Sequence, residues 1–348
     1  MSSNKIFFKL WNPTGMINQV MSMEIAVGLS HLTKKQLIVH HLSNNGDNLY
    51  DFKKVPIYTP SRWYNPQRQD LINENQFPHI TDILSWDEDM ILIDQNIPSF
   101  PQENNVINSV ASSFYYSPES GEMSKNEIDF ADGRTRINLD GDVHLKDTLA
   151  WYSRFFYNRT PELDLALSKV KFKQEYYDFA QMIVSQLGKF QGGHLRLSDH
   201  MKMFTTTQEM FEAGLDKLKQ NSLPIVISTC EPSHKMIIEN KHKFILLDEF
   251  IVNNFSNEFK NLRFTDEVVF GLICNLVMHH AEHFIGTSGS TYTAYIQRLR
   301  ANSGKNETWD FWDQPNYNSN GDYSWNTELL PGGQKNWWRE WPESKFHF

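Results

Sequence analysis

The stretch Gln191-Gly192-Gly193-His194-Leu195-Arg196-Leu197-Ser198-Asp199 decides how this chain is read. Its spacing predicts a strand over 193–197 that runs out at an arginine. Far downstream, Phe284-Ile285-Gly286-Thr287-Ser288-Gly289-Ser290-Thr291-Tyr292 predicts a second strand that breaks in a Gly/Ser/Thr turn and leads into a helix over 292–299. A permanent cation, and a helix N-terminus preceded by hydroxyls and backbone N–H groups, are what a diphosphate requires. A phosphate-handling site built from two distant segments is therefore expected.

Outward from these segments the pattern alternates. Residues 5–10, short and aromatic, read as a strand, and Gly15-Met16-Ile17-Asn18-Gln19 opens a helix whose apolar side chains include Val20, Met23, Ile25, Val27, Leu29 and Leu32. A buried strand over 35–39 completes a βαβ unit. The region 45–145 is less regular, rich in Pro and Asn, and reads as inserts and loop. Alternation resumes after about 160: helix 176–187, strand 193–197, helix 206–219, strand 224–228, strand 243–247, helix 266–280, strand 284–286. The expected fold is α/β, with two doubly wound, Rossmann-like domains facing a cleft and ligands at the carboxyl ends of the strands. The domains are placed at 1–160, carrying the irregular insert 45–145, and at 161–304, with a C-terminal tail over 305–348. That tail holds Trp309, Trp312, Trp325, Trp337, Trp338 and Trp341 of the 10 tryptophans. Two uses are open for it, stacking on sugar rings or capping the sheets with bulky side chains.

Bulk properties exclude several classes. A formal charge of −9 without a basic run argues against nucleic acid. No segment approaches ~20 consecutive apolar residues, so no membrane span is expected. The N-terminus lacks the apolar core of a signal peptide, and two cysteines, Cys230 and Cys274, cannot frame a disulfide scaffold. A soluble, cytoplasmic protein is the expectation.

Other motifs fall away on their chemistry. Gly286-Thr287-Ser288-Gly289 has neither the lysine of a P-loop nor the spacing of a nucleophile elbow. No G-x-G-x-x-G follows an opening strand, which disfavours a dinucleotide enzyme. His279, His280 and His283 show a zinc-like spacing on a helix, but the glutamate and a third ligand are missing, so no metal is expected. Ser290 or Thr291 also suits a plain N-cap.

Taken together, Gly15-Met16-Ile17-Asn18-Gln19, His194-Leu195-Arg196-Leu197-Ser198-Asp199 and Phe284–Tyr292 resemble, in order and spacing, the three motifs of the GDP-fucose O-fucosyltransferase family. That family includes protein O-fucosyltransferases and α1,6-fucosyltransferases, and the resemblance spans roughly residues 5–300. It implies a GT-B architecture and an inverting, metal-independent transfer of fucose from GDP-fucose to a glycan or protein hydroxyl, with no cofactor. By the same resemblance Arg196 would bind the β-phosphate and stabilise departing GDP, and Asn18 would lie close to the reacting sugar. Gly15 would line the cleft, and His194 would lie against the nucleotide. Asp199 would orient the loop behind the arginine. Thr229, Gly286, Ser288, Ser290, Thr291 and Tyr292 would complete the donor site. The chain departs from the family at Thr229-Cys230-Glu231, where Thr-Asp is frequent, and at Cys274, where many members carry a guanine-reading aspartate. Thr14 stands where one branch has a basic carboxylate. A different nucleotide sugar, or a non-catalytic sugar-binding or structural role, therefore stays open.

Overall fold

The computed structural model describes residues 5–9, 16–40, 70–73, 80–86, 91–94, 106–108, 112–117, 122–127, 134–137, 142–146, 165–166, 168–197, 206–287, 290–303, 305 and 310–312. They divide into two compact units, one drawn from within 1–51 and 77–173, the other from within 52–76 and 174–325.

In the first unit, strand β1 (Lys5–Lys9), helix α1 (Met16–Thr33) and strand β2 (Gln36–His40) form the expected βαβ unit, with β1 and β2 parallel and Lys5 opposite Gln36. Ile6 and Phe8 of β1 are buried, as are Val20, Met23, Val27 and Leu29 along α1. A short helix α2 (Ile80–Ile83) runs into β3 (Leu84–Ser85). The chain then supplies β4 (Ile91–Asp94), β5 (Val106–Asn108), β6 (Ser112–Ser117), β7 (Glu122–Glu127), β8 (Arg134–Ile137) and β9 (Val143–Lys146). Strands β4, β2, β1, β9 and β5, in that order, make one parallel sheet, while β6, β7 and β8 make a separate antiparallel sheet.

The stretch 45–145, expected to be irregular, thus carries two of the five strands of the main sheet and nearly all of a third, besides an antiparallel sheet. These strands are three to six residues long. Strands this short leave little room for a period-two alternation to show, and the polar Glu122-Met123-Ser124-Lys125-Asn126-Glu127 has low strand propensity.

The main run of the second unit opens, after β10 (Lys171–Phe172) of the first unit, with α3 (Gln174–Leu187). Tyr176, Phe179, Ala180 and Ile183 form its buried stripe at helical spacing. The helix stops at Gly188, whose φ of 68° is the left-handed conformation a helix end favours. The following elements are β11 (Gln191–Leu195), α4 (Gln208–Lys219), β12 (Ile225–Thr229), α5 (Lys235–Asn240) and β13 (Ile245–Leu246). After them come α6 (Leu247–Lys260), α7 (Glu267–Met278), β14 (Phe284–Gly286), α8 (Thr291–Asn302) and β15 (Asp310–Phe311). Helices α4 and α7 begin at side-chain caps, Thr207 accepting from the Met210 N–H and Asp266 from the Val269 N–H. Helix α7 is apolar on every side and lies buried in the unit.

The sheet is parallel throughout, in the order β13-β12-β11-β14-β15. In chain order this is 3-2-1-4-5, the order of a doubly wound sheet. One face packs on α4 and α5 through Phe211, Leu215, Leu218 and Ile237 against Ile225, Ile227, Leu195 and Ile285. On the other, a Cβ at Gly192 would come within 2.6 Å of Ala281, just past α7.

Trp312 completes the core. It follows β15, is 1% exposed, and donates its indole N–H to the His194 carbonyl at 2.8 Å. Gly193 and Gly214 make room for it, since a Cβ at either would stand 2.6 or 2.4 Å from the indole. Of the two uses open for the tail, Trp312 takes the packing one. The other five tail tryptophans lie outside the described residues.

Candidate functional site

In a doubly wound sheet ligands bind beyond the carboxyl ends of the strands, where successive connections leave in opposite directions. Here that point falls between β11 and β14. From β11 the chain passes through α4 to β12 on one side, and from β14 it passes through α8 to β15 on the other. The two segments singled out in the sequence end at this crevice.

The strand β11 is Gln191–Leu195 rather than 193–197. Gly192 and Gly193 sit inside it, where they admit Ala281 on one face and Trp312 on the other. They are therefore packing glycines. Arg196 follows the last strand residue and is half-buried, between Leu195 at 0% and Leu197 at 2% exposure. Two buried leucines thus fix the backbone that carries the guanidinium.

Opposite, Gly286 ends β14 and α8 starts at Thr291. The helix crosses the strand end so closely that a Cβ at Gly286 would stand 2.1 Å from Thr293 Cγ2. The first N–H groups of a helix lack intrahelical acceptors, and the aligned peptides add partial positive charge there. Ser290 precedes this turn, is 0% exposed, and its hydroxyl has no hydrogen-bond partner among the described residues. A buried hydroxyl without a partner is rare and costs about 1–3 kcal/mol. Among the described residues Ser290 therefore does not serve as a side-chain N-cap, and its oxygen, closed to solvent here, keeps an unused hydrogen-bonding capacity.

His194 is buried, shares a 2.8 Å hydrogen bond between Nδ1 and Thr293 Oγ1, and stacks at a tilt on Tyr292 with ring centroids 4.6 Å apart. Tyr292 donates its hydroxyl to the Gly271 carbonyl at 2.7 Å, and its own carbonyl accepts from Asn275 Nδ2 at 3.3 Å. Burial above all, then the neighbouring Cys274 and Asp248, hold the phenol well above its ordinary pKa, so it stays neutral. Its side chain anchors α8 to α7. Thr229, at the end of β12, is buried and accepts from the Glu231 N–H at 3.1 Å. The structure so brings His194, Arg196, Gly286, Ser290, Thr291 and Tyr292 to one end of the sheet, with Thr229 on the adjoining strand. Asn18 lies in the first turn of α1, in the other unit, and its side chain is outside the described residues, as are Gly15, Asp199 and Ser288.

Sequence reasoning passed over Thr287, Thr293, Glu231 and Asn275. The first sits inside the quoted turn, yet nothing in its spacing reveals that it reaches back to β11. The histidine cluster is the end of α7. Arg300, 0% exposed, donates to the carbonyls of His279, Ala281 and Glu282, and Lys305 donates to that of His280 at 2.6 Å. Burial, with His280 beside it, lowers the His279 pKa to about 3. Among the described residues no group of three or more His, Cys, Asp or Glu could hold a metal ion, and no helix is long and apolar enough to cross a membrane.

Fold and corner define a doubly wound parallel α/β unit with an arginine and a helix N-terminus at the switch point of its sheet. Neither a family model nor a curated protein sequence matches the chain. Among solved structures it is similar to the fucosyltransferase NodZ from Bradyrhizobium, at 12% identity over 85% of this chain and 92% of that one, with a TM-score of 0.44. It is also similar to POFUT1 in complex with GDP-fucose, at 11% identity over 89% of this chain and 98% of that one, with a TM-score of 0.43.

Proposed function

We propose that this chain is an inverting, metal-independent glycosyltransferase of GT-B architecture that transfers fucose from GDP-fucose to a hydroxyl of a glycan or protein. The observation that carries the reading is the juxtaposition, across β11 and β14, of the half-buried Arg196 with a helix N-terminus and the unpartnered hydroxyl of Ser290. A diphosphate bound there would meet a bidentate cation on one side and oriented N–H and O–H donors on the other. When the bond from the sugar to GDP breaks, the negative charge grows on the β-phosphate. Donors fixed before the reaction stabilise that charge without reorganising. Arg196 and the α8 terminus supply the compensation that a divalent cation gives elsewhere, so no metal is required in this scheme. His194 and Tyr292 support the cradle from beneath, and Asn18 is assigned to the sugar by the family resemblance alone.

A second reading keeps the chemistry and changes the base. Cys274, at the family's guanine-reading position, is buried with its thiol directed to the Asp248 carboxylate at 3.8 Å. A thiol so engaged does not reproduce a carboxylate's recognition of a guanine edge, which favours a different nucleotide.

Calorimetric titration with GDP, with magnesium and with EDTA, tests the first reading, beside Arg196→Ala. Equal binding in both buffers, lost in the variant, is the expected result. Arg196→Ala binding as the wild type does would refute the assigned role. Thermal shifts with GDP, UDP, ADP and CMP separate the two readings, because a ligand at about 100 times its Kd adds about 2.7 kcal/mol of stability. Turnover of GDP-fucose into a fucosylated acceptor then decides between enzyme and sugar-binding protein.

A further inference from the structure

Strand β11 stops pairing with β12 at Leu195, opposite Thr229, and with β14 at Gly193, opposite Ile285. The next two N–H groups, of Arg196 and Leu197, project beyond the ladder, yet both are satisfied by side chains. The Arg196 N–H donates to Thr287 Oγ1 at 3.0 Å, and the Leu197 N–H donates to Glu231 Oε2 at 3.1 Å. The two acceptors come from opposite neighbours, Thr287 from the end of β14 and Glu231 from the turn after β12.

Each acceptor is itself held. Thr287 is fully buried, donates its hydroxyl to the His194 carbonyl at 3.3 Å, and gives its N–H to Thr293 Oγ1 at 3.2 Å. Thr293 Oγ1 in turn shares the hydrogen bond with His194 Nδ1. Glu231 is fixed through its own N–H on Thr229 Oγ1. A carboxylate is an unsuitable ligand for a diphosphate, but here one of its oxygens is engaged on a backbone amide. This gives Thr229 and Glu231 a function other than touching the donor.

We propose that Thr287 and Glu231 are positioning residues, a two-sided clamp that fixes the backbone of Arg196 so that its guanidinium meets the diphosphate in one orientation. The inference rests on the nucleotide-sugar reading above. A planar five-donor fork gains from such a mount, because affinity and rate both depend on its direction and not on charge alone. Thr287 links Arg196, through its hydroxyl, to the same helix that its own N–H reaches at Thr293, and the N-terminus of that helix forms the other half of the cradle, so both halves are set by one network.

The test is titration of GDP and of GMP into wild type, Thr287→Val, Thr287→Ser, Glu231→Ala and Glu231→Gln, with melting curves for each. The clamp predicts that Thr287→Val and Glu231→Ala weaken GDP about tenfold while leaving GMP nearly unchanged, since GMP lacks the β-phosphate that Arg196 takes. Thr287→Ser and Glu231→Gln, which keep an acceptor oxygen, should recover most of the GDP affinity. Equal losses for GDP and GMP would reduce both residues to structural supports, and unaltered GDP affinity would remove the clamp altogether. If Thr287→Val does not fold, the Glu231 pair yields the same comparison. Wild-type protein that binds neither nucleotide is a distinct outcome, which overturns the nucleotide reading and the clamp's purpose with it.

Discussion

Replacing Gly286 by alanine tests the contact on which the corner depends. The added Cβ would lie 2.1 Å from Thr293 Cγ2, 2.9 Å from its Oγ1 and 3.1 Å from its Cβ. No rotamer of an alanine methyl relieves this, so α8 must move away from the end of β14. Overpacking of that kind costs about 1–3 kcal/mol. The same displacement stretches the bonds of Thr293 Oγ1 to His194 Nδ1 and to the Thr287 N–H, at about 1 kcal/mol each. A total near 4 kcal/mol is expected, read as the loss of stability in urea unfolding. Thr293→Ser removes the Cγ2 that makes the closest contact and keeps the hydroxyl, so the double variant should regain about 1–2 kcal/mol relative to the sum of the singles. Thr293→Val keeps a methyl there and loses the hydroxyl, and should rescue nothing. Gly286→Ala unfolding at the wild-type midpoint, or equal rescue by Ser and Val, would refute the argument that the glycine exists to admit Thr293.

Three further expectations follow from buried groups. Asp266 is raised from 3.8 to about 7, chiefly by burial, so between those values the folded chain holds a proton that the unfolded chain has released. The stability this gives is full below about pH 4 and is lost as pH rises through about 7, by up to about 4 kcal/mol. Asp266→Asn keeps the cap acceptor and should flatten that part of the pH profile of Tm, and an unchanged slope would assign the dependence to other groups. Trp312→Ala should cost about 3–5 kcal/mol in urea unfolding, because it empties the space that Gly193 and Gly214 leave for the indole and removes one of the two donors to the His194 carbonyl. Arg300→Lys should lower stability by about 2 kcal/mol, since an ammonium cannot span the carbonyls of His279, Ala281 and Glu282 that follow α7, and a melt equal to wild type would contradict that bridging role.

What the sequence displays is governed by how far each signal reaches along the chain. The βαβ opening was legible because α1 and its two strands are long enough to show a period, and α3 because Tyr176, Phe179, Ala180 and Ile183 repeat at one face. Strands β4, β5 and β9 were not, for a strand of three or four residues is too short to show an alternation. The expected strand 243–247 shrinks to Ile245–Leu246, and α6 begins at once at Leu247. Its kink at Phe255, with φ −134° and ψ 20°, divides the apolar periodicity that would have announced it. Thr287, Thr293 and Glu231 were invisible for a different reason. Each is an ordinary polar residue in its own segment, and its meaning arises only from a partner 34 to 99 positions away.

The glycines show most clearly why the local and the spatial reading differ. In the sequence, Gly192-Gly193 beside Arg196 and Gly286 before a hydroxyl run look like places where backbone approaches a ligand. In the fold all three are occupied from within, by Ala281, Trp312 and Thr293. The last side chains of β11 and β14 are likewise committed, with Leu195, Ile285 and His194 all buried. A ligand at this switch point therefore cannot be served by the strands themselves. Among the described residues, what lies one step beyond them is the half-buried Arg196 after β11, and the first turn of α8, preceded by the buried Ser290, after β14. The close packing that uses up the glycines is also what holds those two groups in register, so the same contacts that make the corner rigid leave it a cation and a set of N–H donors, the complement of a diphosphate.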